Sequence, residues 1–298
     1  MQNENLNPKK IKLCVIVGPT ASGKTKFAIE IAKQKNGEII SADSMQIYKG
    51  MDIVTAKPSK QEQAQVKHHL IDFLPPEETF SVAQFTKLAH EKILEVTNKG
   101  KLPILVGGTG LYINSVIDEI NFTDQISNEE IRNKLNLETE KLGLNAMFEN
   151  LKDIDPNYAK KISPNDKKRV LRAIEVYKLT GKTMSELIEK SKPKVSRYEL
   201  DMIGLNFKDR DNLYNRINLR VDEMIKHGLV EEAKKFYKKN LSNTAKYAIG
   251  YKELFDYFDN KTTLNDAIEK IKQNTRRYAK RQITWFKRDP RIKWIYMD

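Results

Sequence analysis

Gly18-Pro19-Thr20-Ala21-Ser22-Gly23-Lys24-Thr25 spells a complete phosphate-binding loop. It follows the apolar run Ile11–Val17 and opens into a stretch where Phe27, Ala28, Ile31 and Ala32 recur at helical spacing. Strand, loop and helix in that order are the context in which the motif works. The two glycines let the backbone curl until successive N–H groups point at phosphate oxygens. The helix that follows adds the positive end of its dipole. Lys24 is spaced to reach an outer phosphate, and the Thr25 hydroxyl stands where a Mg2+ ligand belongs. A ligand carrying two or three phosphates is expected here.

The rest of the first third continues the alternation. Glu38–Ala42 is a short β-like run ending at Asp43. Ser81 and Gln84 form a capping box ahead of Val82, Phe85, Leu88, Ala89, Ile93 and Val96, and the helix they predict stops at Gly100. Leu102–Val106 is a further strand, ending in Gly107-Gly108-Thr109-Gly110. This order predicts an α/β fold with a parallel sheet, right-handed crossovers and ligands at the strand C-termini. Asp43 and Thr109 should therefore meet the phosphate loop at one edge. From about Ile117 to Lys194 the chain turns polar and helical, and Met202–Phe207 resumes strand-like composition before a helix marked by Leu213, Ile217, Val221 and Met224. The expected organisation is a P-loop parallel-sheet core (1–117 and 198–298, with C-terminal basic helices) interrupted by an all-helical insertion domain (118–197).

Composition narrows the class. The chain has 298 residues, a formal net charge of +13 and one cysteine, so no intrachain disulfide can form. Cys14 lies inside the first strand and reads as a buried, inert thiol. No apolar run approaches a membrane span, and the first apolar stretch leads straight into the phosphate loop rather than to a cleavage site. A cytoplasmic enzyme with no membrane association is expected, with a monomer as the default. The basic excess points to a polyanion. It is concentrated between Arg276 and Lys293, where eight basic residues face one acid, Asp289, with Tyr278, Trp285 and Phe286 interleaved. Arg276 with Lys280, and Arg277 with Arg281, lie four apart, so a helix here carries a basic stripe. A solvated helix face would give the same pattern. His68-His69 has no Cys or further His at ligand spacing and reads as packing.

One absence matters. A P-loop ATPase commonly carries an Asp after a later strand to hold magnesium, whereas Leu102–Val106 ends in glycines and Thr109. The acid stands instead at the end of the second strand, in Asp43-Ser44-Met45-Gln46. Its place suits work on a substrate beside the phosphates, and capping a turn is the alternative.

The chain resembles the bacterial tRNA dimethylallyltransferase (tRNA isopentenyltransferase) family. The resemblance is carried by GPTASGKT at Gly18–Thr25, SADSMQIYKGMDI at Ser41–Ile53, TAKP at Thr55–Pro58, HHLID at His68–Asp72 and LVGGTGLY at Leu105–Tyr112. It continues in SPNDKKRVLRAIEVY at Ser163–Tyr177, AIGYKEL at Ala248–Leu254 and TRRYAKRQITWFKR at Thr275–Arg288. Val54 and Tyr247 depart from the residues frequent in that family, Gly and Gln. The resemblance implies transfer of a dimethylallyl group from its diphosphate to the exocyclic N6 amine of the adenosine 3′ of the anticodon. It implies catalytic roles for Asp43, Thr109, Lys24 and Arg220, with Arg216 one turn away as the fallback. It further implies Mg2+ on Thr25 and a tRNA anticodon arm held by Asp43, Ser44, Met45, Gln46 and Thr109. Other RNA contacts are implied at Lys168, Arg169, Val170, Leu171 and Arg172, at Gly250, Tyr251 and Lys252, and at Arg276, Arg277, Lys280 and Arg281.

Three other classes stay open at this level. An adenylate isopentenyltransferase would share the chemistry, but a small acceptor needs neither the basic stripe nor the helical insertion. A small-metabolite kinase would need the acid missing after Leu102–Val106. A pure RNA-binding module would not need an intact phosphate loop.

Overall fold

In the first strand, β1 (Ile11–Val17), successive side chains feed two different cores, as the two-residue period of a strand requires. Leu13, Val15 and Val17 enter one core, and Cys14 and Ile16 the other. The computed structural model describes residues 10–120, 128–191 and 195–298. The chain divides into two compact units, 1–117 with 196–298, and 118–195. Residues 121–127 and 192–194 of the expected insertion lie outside the described residues.

The first unit continues with α1 (Lys24–Gln34), β2 (Gly37–Ser41), α2 (Lys60–Gln65), β3 (His68–His69), α3 (Val82–Asn98), β4 (Leu102–Gly107) and α4 (Gly110–Ile117). The second unit contains α5 (Glu129–Leu142), α6 (Leu144–Ile154), α7 (Pro156–Ala159), α8 (Lys167–Thr180) and α9 (Met184–Lys190). The first unit resumes with β5 (Tyr198–Asn206), α10 (Arg210–Lys226), α11 (Leu229–Phe236), α12 (Asn243–Lys246), α13 (Tyr251–Phe258), α14 (Leu264–Phe286) and β6 (Lys293–Tyr296).

Every strand pairing is parallel, in the order β3-β2-β4-β1-β5-β6. One face of the sheet packs α1 through Ala28, Ile29 and Ala32. The other takes Phe85, Ala89 and Ile93 of α3, Ile113 and Val116 of α4, and Phe286 of α14. The Ser81–Gln84 capping box forms and opens α3. A separate core joins α10, α11, α13 and α14 to the segment after β2 through Ile47, Tyr48, Met51, Phe236, Tyr251 and Leu254. The second unit has its own core, centred on Leu135, Phe148, Leu151 and Ile174. Cys14 is buried, and burial pushes its thiol up to about 11, as an inert core cysteine requires. Among the described residues no helix is long and apolar enough to cross a membrane.

The parallel register brings the C-terminal ends of β1, β2 and β4 to one edge. Val17 pairs with Gly107, and Ser41 with Val106. The phosphate loop, Asp43 and Thr109 all leave the sheet there.

Candidate active site

The loop is shaped by close contact on its strand side. Gly18 has φ +151°, and a Cβ there would lie 2.4 Å from the Leu205 carbonyl oxygen, so only glycine fits. At the other end α1 begins without a side-chain cap at Gly23, leaving its first N–H groups for an incoming anion. Lys24 Nζ donates to the Pro19 carbonyl at 2.6 Å, folding the side chain back over the loop. Ser22 is fully buried, and among the described residues its hydroxyl has no hydrogen-bond partner.

Gln282 ties this loop to the neighbouring strand end. Its Oε1 accepts from Thr20 N at 2.8 Å and its Nε2 donates to the Gly108 carbonyl at 3.0 Å. Gly108 has no room for a side chain, since a Cβ would sit 2.1 Å from Gln282 Nε2. A single buried amide thus fixes the spacing between the phosphate loop and the end of β4.

Asp43 and Thr109 leave the same edge and are linked through Ser44. Asp43 Oδ1 accepts from Met45 N at 2.8 Å and from Gln46 N at 3.3 Å. The capping alternative therefore describes one carboxylate oxygen. Oδ2 takes part in neither bond, and the residue lines the cavity. Thr109 Oγ1 accepts from Ser44 N at 3.1 Å and donates to Ser44 Oγ at 3.3 Å. Gln46 is held on both sides: Ser41 Oγ donates to its Oε1 at 3.0 Å, and its Nε2 donates to the Thr55 and Ala56 carbonyls at 3.4 and 3.3 Å.

Asp43, Ser44, Gln46 and Gln282 line one cavity of about 800 Å³, together with Lys24, Thr25, Arg216, Arg220, Tyr278, Arg281 and His68, and Thr109 is joined to this lining through its two bonds to Ser44. Its electrostatics are coupled. Burial, and then the Arg220 guanidinium, push Lys24 down to about 7, while Asp43 opposes the shift. Burial lowers Arg220 as well, with Asp43 again opposing. Two half-buried cations and one carboxylate thus surround a space fit for an anion. Burial and the negative charge of Asp43 raise Tyr278 to about 12 against hydrogen bonds from Thr109 and Gln282, so its phenol stays protonated. Arg216, the fallback to Arg220, is the more exposed; it donates to the Ala21 carbonyl at 3.2 Å and covers the Phe207 ring.

Among the described residues no group of three His, Cys, Asp or Glu side chains is arranged to hold a metal. The oxygens in the lining beside the loop include the Thr25 and Ser22 hydroxyls and the Asp43 carboxylate. That set suits a hard divalent cation that takes most of its ligands from phosphates and water, the usual manner of magnesium.

The predicted RNA contacts divide. Lys168, Arg169, Lys252, Arg277, Lys280 and Arg281 are exposed. Arg281 also lines the cavity mouth, its guanidinium over the Tyr278 ring, so the basic stripe of α14 runs into the cavity. Arg276 donates to Asn218 Oδ1. Arg172 is bonded to the buried Glu175, and Leu171 packs partly against the core of the second unit. Two expectations are corrected. Val170 is wholly enclosed in that core, and Tyr251, on α13, is wholly enclosed against Phe236 of α11, so neither side chain can touch RNA. Gly250 is buried too; a Cβ there would meet Val54 Cγ2 at 2.9 Å.

Sequence reasoning passed over Gln282, gave Tyr278 no role beyond an aromatic in the basic stretch, and read His68 as packing. Gln282 carried a signal, because a polar residue shares a helical stripe with Ile271, Ala279 and Phe286. The histidine pair splits. His69 is buried against Glu38 at 2.7 Å, whereas His68 lines the cavity, its Nδ1 bonded to the Val66 carbonyl and its Nε2 buried without a partner among the described residues.

Comparison with known proteins gives a consistent picture. Residues 46–289 match the family described as IPP transferase. A tRNA dimethylallyltransferase of Thermoanaerobacter sp. (strain X514) is 52% identical over 291 residues, 97% of this chain and 92% of that protein. The one from Bacillus subtilis (strain 168) is 48% identical over 293 residues, 98% and 93% of the two chains. Among solved structures, a full-length tRNA isopentenylpyrophosphate transferase from Bacillus halodurans has 48% identity and a TM-score of 0.72, covering 97% of this chain and 90% of its own. A eukaryotic dimethylallyltransferase described as acting on tRNA has 30% identity and a TM-score of 0.77, covering 92% and 69%.

Proposed function

This chain belongs to the IPP transferase family, whose named members modify tRNA by prenyl transfer, and on that premise we propose how its cavity performs the reaction. The donor is dimethylallyl diphosphate and the acceptor the N6 amine of the adenosine 3′-adjacent to the anticodon. One observation carries this reading: a phosphate loop with two half-buried cations shares a single cavity with the carboxylate of Asp43.

The donor's diphosphate lies against the loop amides of Gly18–Thr25, with Ser22 Oγ gaining the partner it lacks. Lys24 and Arg220 stand beside it. Mg2+, held by Thr25 and phosphate oxygens, would supply further charge neutralisation. As the C1–O bond of the allylic diphosphate breaks, negative charge moves onto the diphosphate. Fixed cations and amides favour that charge more in the transition state than in the ground state, and losing one such donor costs about 10²–10³-fold in rate. The N6 lone pair forms the new N–C1 bond. Asp43 Oδ2 orients the amine and accepts the proton it loses, while Oδ1 stays with its backbone amides. Thr109, bonded to Ser44, holds that segment against the leaving oxygen's side of the cavity. Ser44, Met45 and Gln46 line the base.

The adenosine must leave its stack to enter, at a cost of a few kcal/mol that backbone contacts offset. The exposed cations Arg277, Lys280 and Arg281, and Lys168 and Arg169 of the helical insertion, serve as grips on the anticodon arm. The protein works as a cytoplasmic monomer. Nucleoside mass analysis of bulk tRNA after incubation with dimethylallyl diphosphate and Mg2+, without ATP, tests the reading. A five-carbon unit on adenosine is the expected result; transfer to free AMP, or a requirement for ATP, contradicts it.

A further inference from the structure

Glu232 is 7% exposed and its carboxylate is saturated by four donors from two separate segments. Oε2 accepts from Asp52 N at 2.9 Å and Ile53 N at 2.8 Å. Oε1 accepts from Val54 N and from the Tyr251 hydroxyl, both at 3.0 Å. Three successive backbone N–H groups turned toward one carboxylate form an anion nest, and charge-assisted bonds of this kind are about twice as strong as neutral ones. Burial and the adjacent carboxylate raise the Tyr251 pKa, so the phenol remains a donor.

The nest is the start of the turn that ends in Thr55 and Ala56, whose carbonyls receive Gln46 Nε2. The same turn is stitched internally by Thr55 Oγ1 to the Met51 carbonyl at 2.6 Å and by Lys57 Nζ to the Tyr48 carbonyl at 2.8 Å. Its outer side rests on Gly250, where the absence of a Cβ lets Val54 approach. Without an acceptor at Glu232, the three amides would point at a buried carboxamide or at apolar side chains, and the turn would have to reorient. Gln46 Nε2 would then lose the two carbonyls that, with Ser41 Oγ on its Oε1, fix the orientation of its amide in the cavity lining.

We infer that Glu232 is a positioning residue for the acceptor base: through the Asp52–Ala56 turn it fixes the amide of Gln46, and the Gly250-Tyr251 segment is its latch rather than an RNA contact. The inference rests on the proposed function, because it takes the base to lie against Gln46.

A double-mutant cycle tests it, with Glu232→Gln, Gln46→Ala and the pair, on an anticodon stem-loop RNA and dimethylallyl diphosphate. Glu232→Gln keeps the shape but turns an amide NH2 toward backbone donors. It should raise KM for the RNA about tenfold, with kcat changed less than about threefold and donor affinity within about twofold. The paired variant should bind RNA no worse than Gln46→Ala alone, because both changes remove one interaction. Tyr251→Phe, which removes a single donor and leaves the three amides paired, should raise KM by about two- to fivefold. A purely structural Glu232 would lower thermal stability yet give additive effects on KM; additivity, or an equal loss of donor affinity, overturns the inference. Absence of any prenyl transfer by the unmodified protein would instead overturn the proposed function.

Discussion

Binding of the prenyl donor should draw a proton onto the protein, and Lys24 is the group that takes it. Burial first, and then the Arg220 guanidinium, lower its ammonium from 10.5 to about 7, with Asp43 working the other way. A diphosphate beside it favours the charged form and returns the pKa toward the ordinary lysine range. With a free-state value of about 7, roughly half of Lys24 is charged at pH 7 and about a tenth at pH 8. Saturation with donor should then take up about 0.5 proton at pH 7 and about 0.9 at pH 8, and affinity should fall about tenfold per pH unit above 7. Folding responds with a definite sign. The unfolded chain keeps this lysine protonated up to about 10.5, so the Lys24 contribution to stability grows as pH rises from 7 toward 10.5. Calorimetric titration with dimethylallyl diphosphate in two buffers of different ionisation enthalpy measures the uptake. Lys24→Met is the reference, since protonation of the donor itself is common to both proteins and subtracts out. Equal uptake by the two proteins, or an affinity flat between pH 7 and 9, would refute the electrostatic account of the loop.

Two further outcomes follow from particular contacts. Gln282→Ala leaves Thr20 N and the Gly108 carbonyl without their partner, so denaturant titration should show a loss of about 1–3 kcal/mol, and donor affinity should fall because the loop is no longer braced. Arg277→Ala with Lys280→Ala alters exposed cations that do not line the cavity; RNA affinity should weaken and its salt slope flatten by about one to two phosphate equivalents, with donor affinity unchanged. An unchanged slope in that salt titration would make this part of α14 a solvated face.

The sheet and the site edge were legible because their signals are local. Ile11–Val17, Leu102–Val106 and the Ser81–Gln84 box announce themselves within a few residues, and parallel topology then obliges the phosphate loop, Asp43 and Thr109 to share an edge. Asp43 was readable as either a cap or a reacting group because it is built as both, one oxygen for the backbone and one left to the cavity. Contacts across long sequence separations left no such signature. Gln282 reaches Thr20 over 262 positions and Glu232 reaches the Asp52–Val54 amides over about 180, so neither partner could be paired by pattern. The same limit misplaced Tyr251 and Val170. Within a motif shared with RNA-modifying enzymes, a residue that holds the scaffold reads no differently from one that touches the substrate. Only burial separates them.

In the proposed reaction one strand edge holds a diphosphate with its cations and a nucleophile with Asp43. Asp43→Asn separates these tasks. Asparagine keeps an Oδ1 for the Met45 and Gln46 amides, so the change should cost well under about 1 kcal/mol of stability. It cannot take the N6 proton as a carboxylate does. With donor and tRNA both saturating, the single-turnover rate of prenyl transfer should fall by about 10²–10⁴-fold while dimethylallyl diphosphate still binds as before. A single-turnover rate near that of the unmodified protein would contradict the assignment of Asp43 as the group that receives the proton.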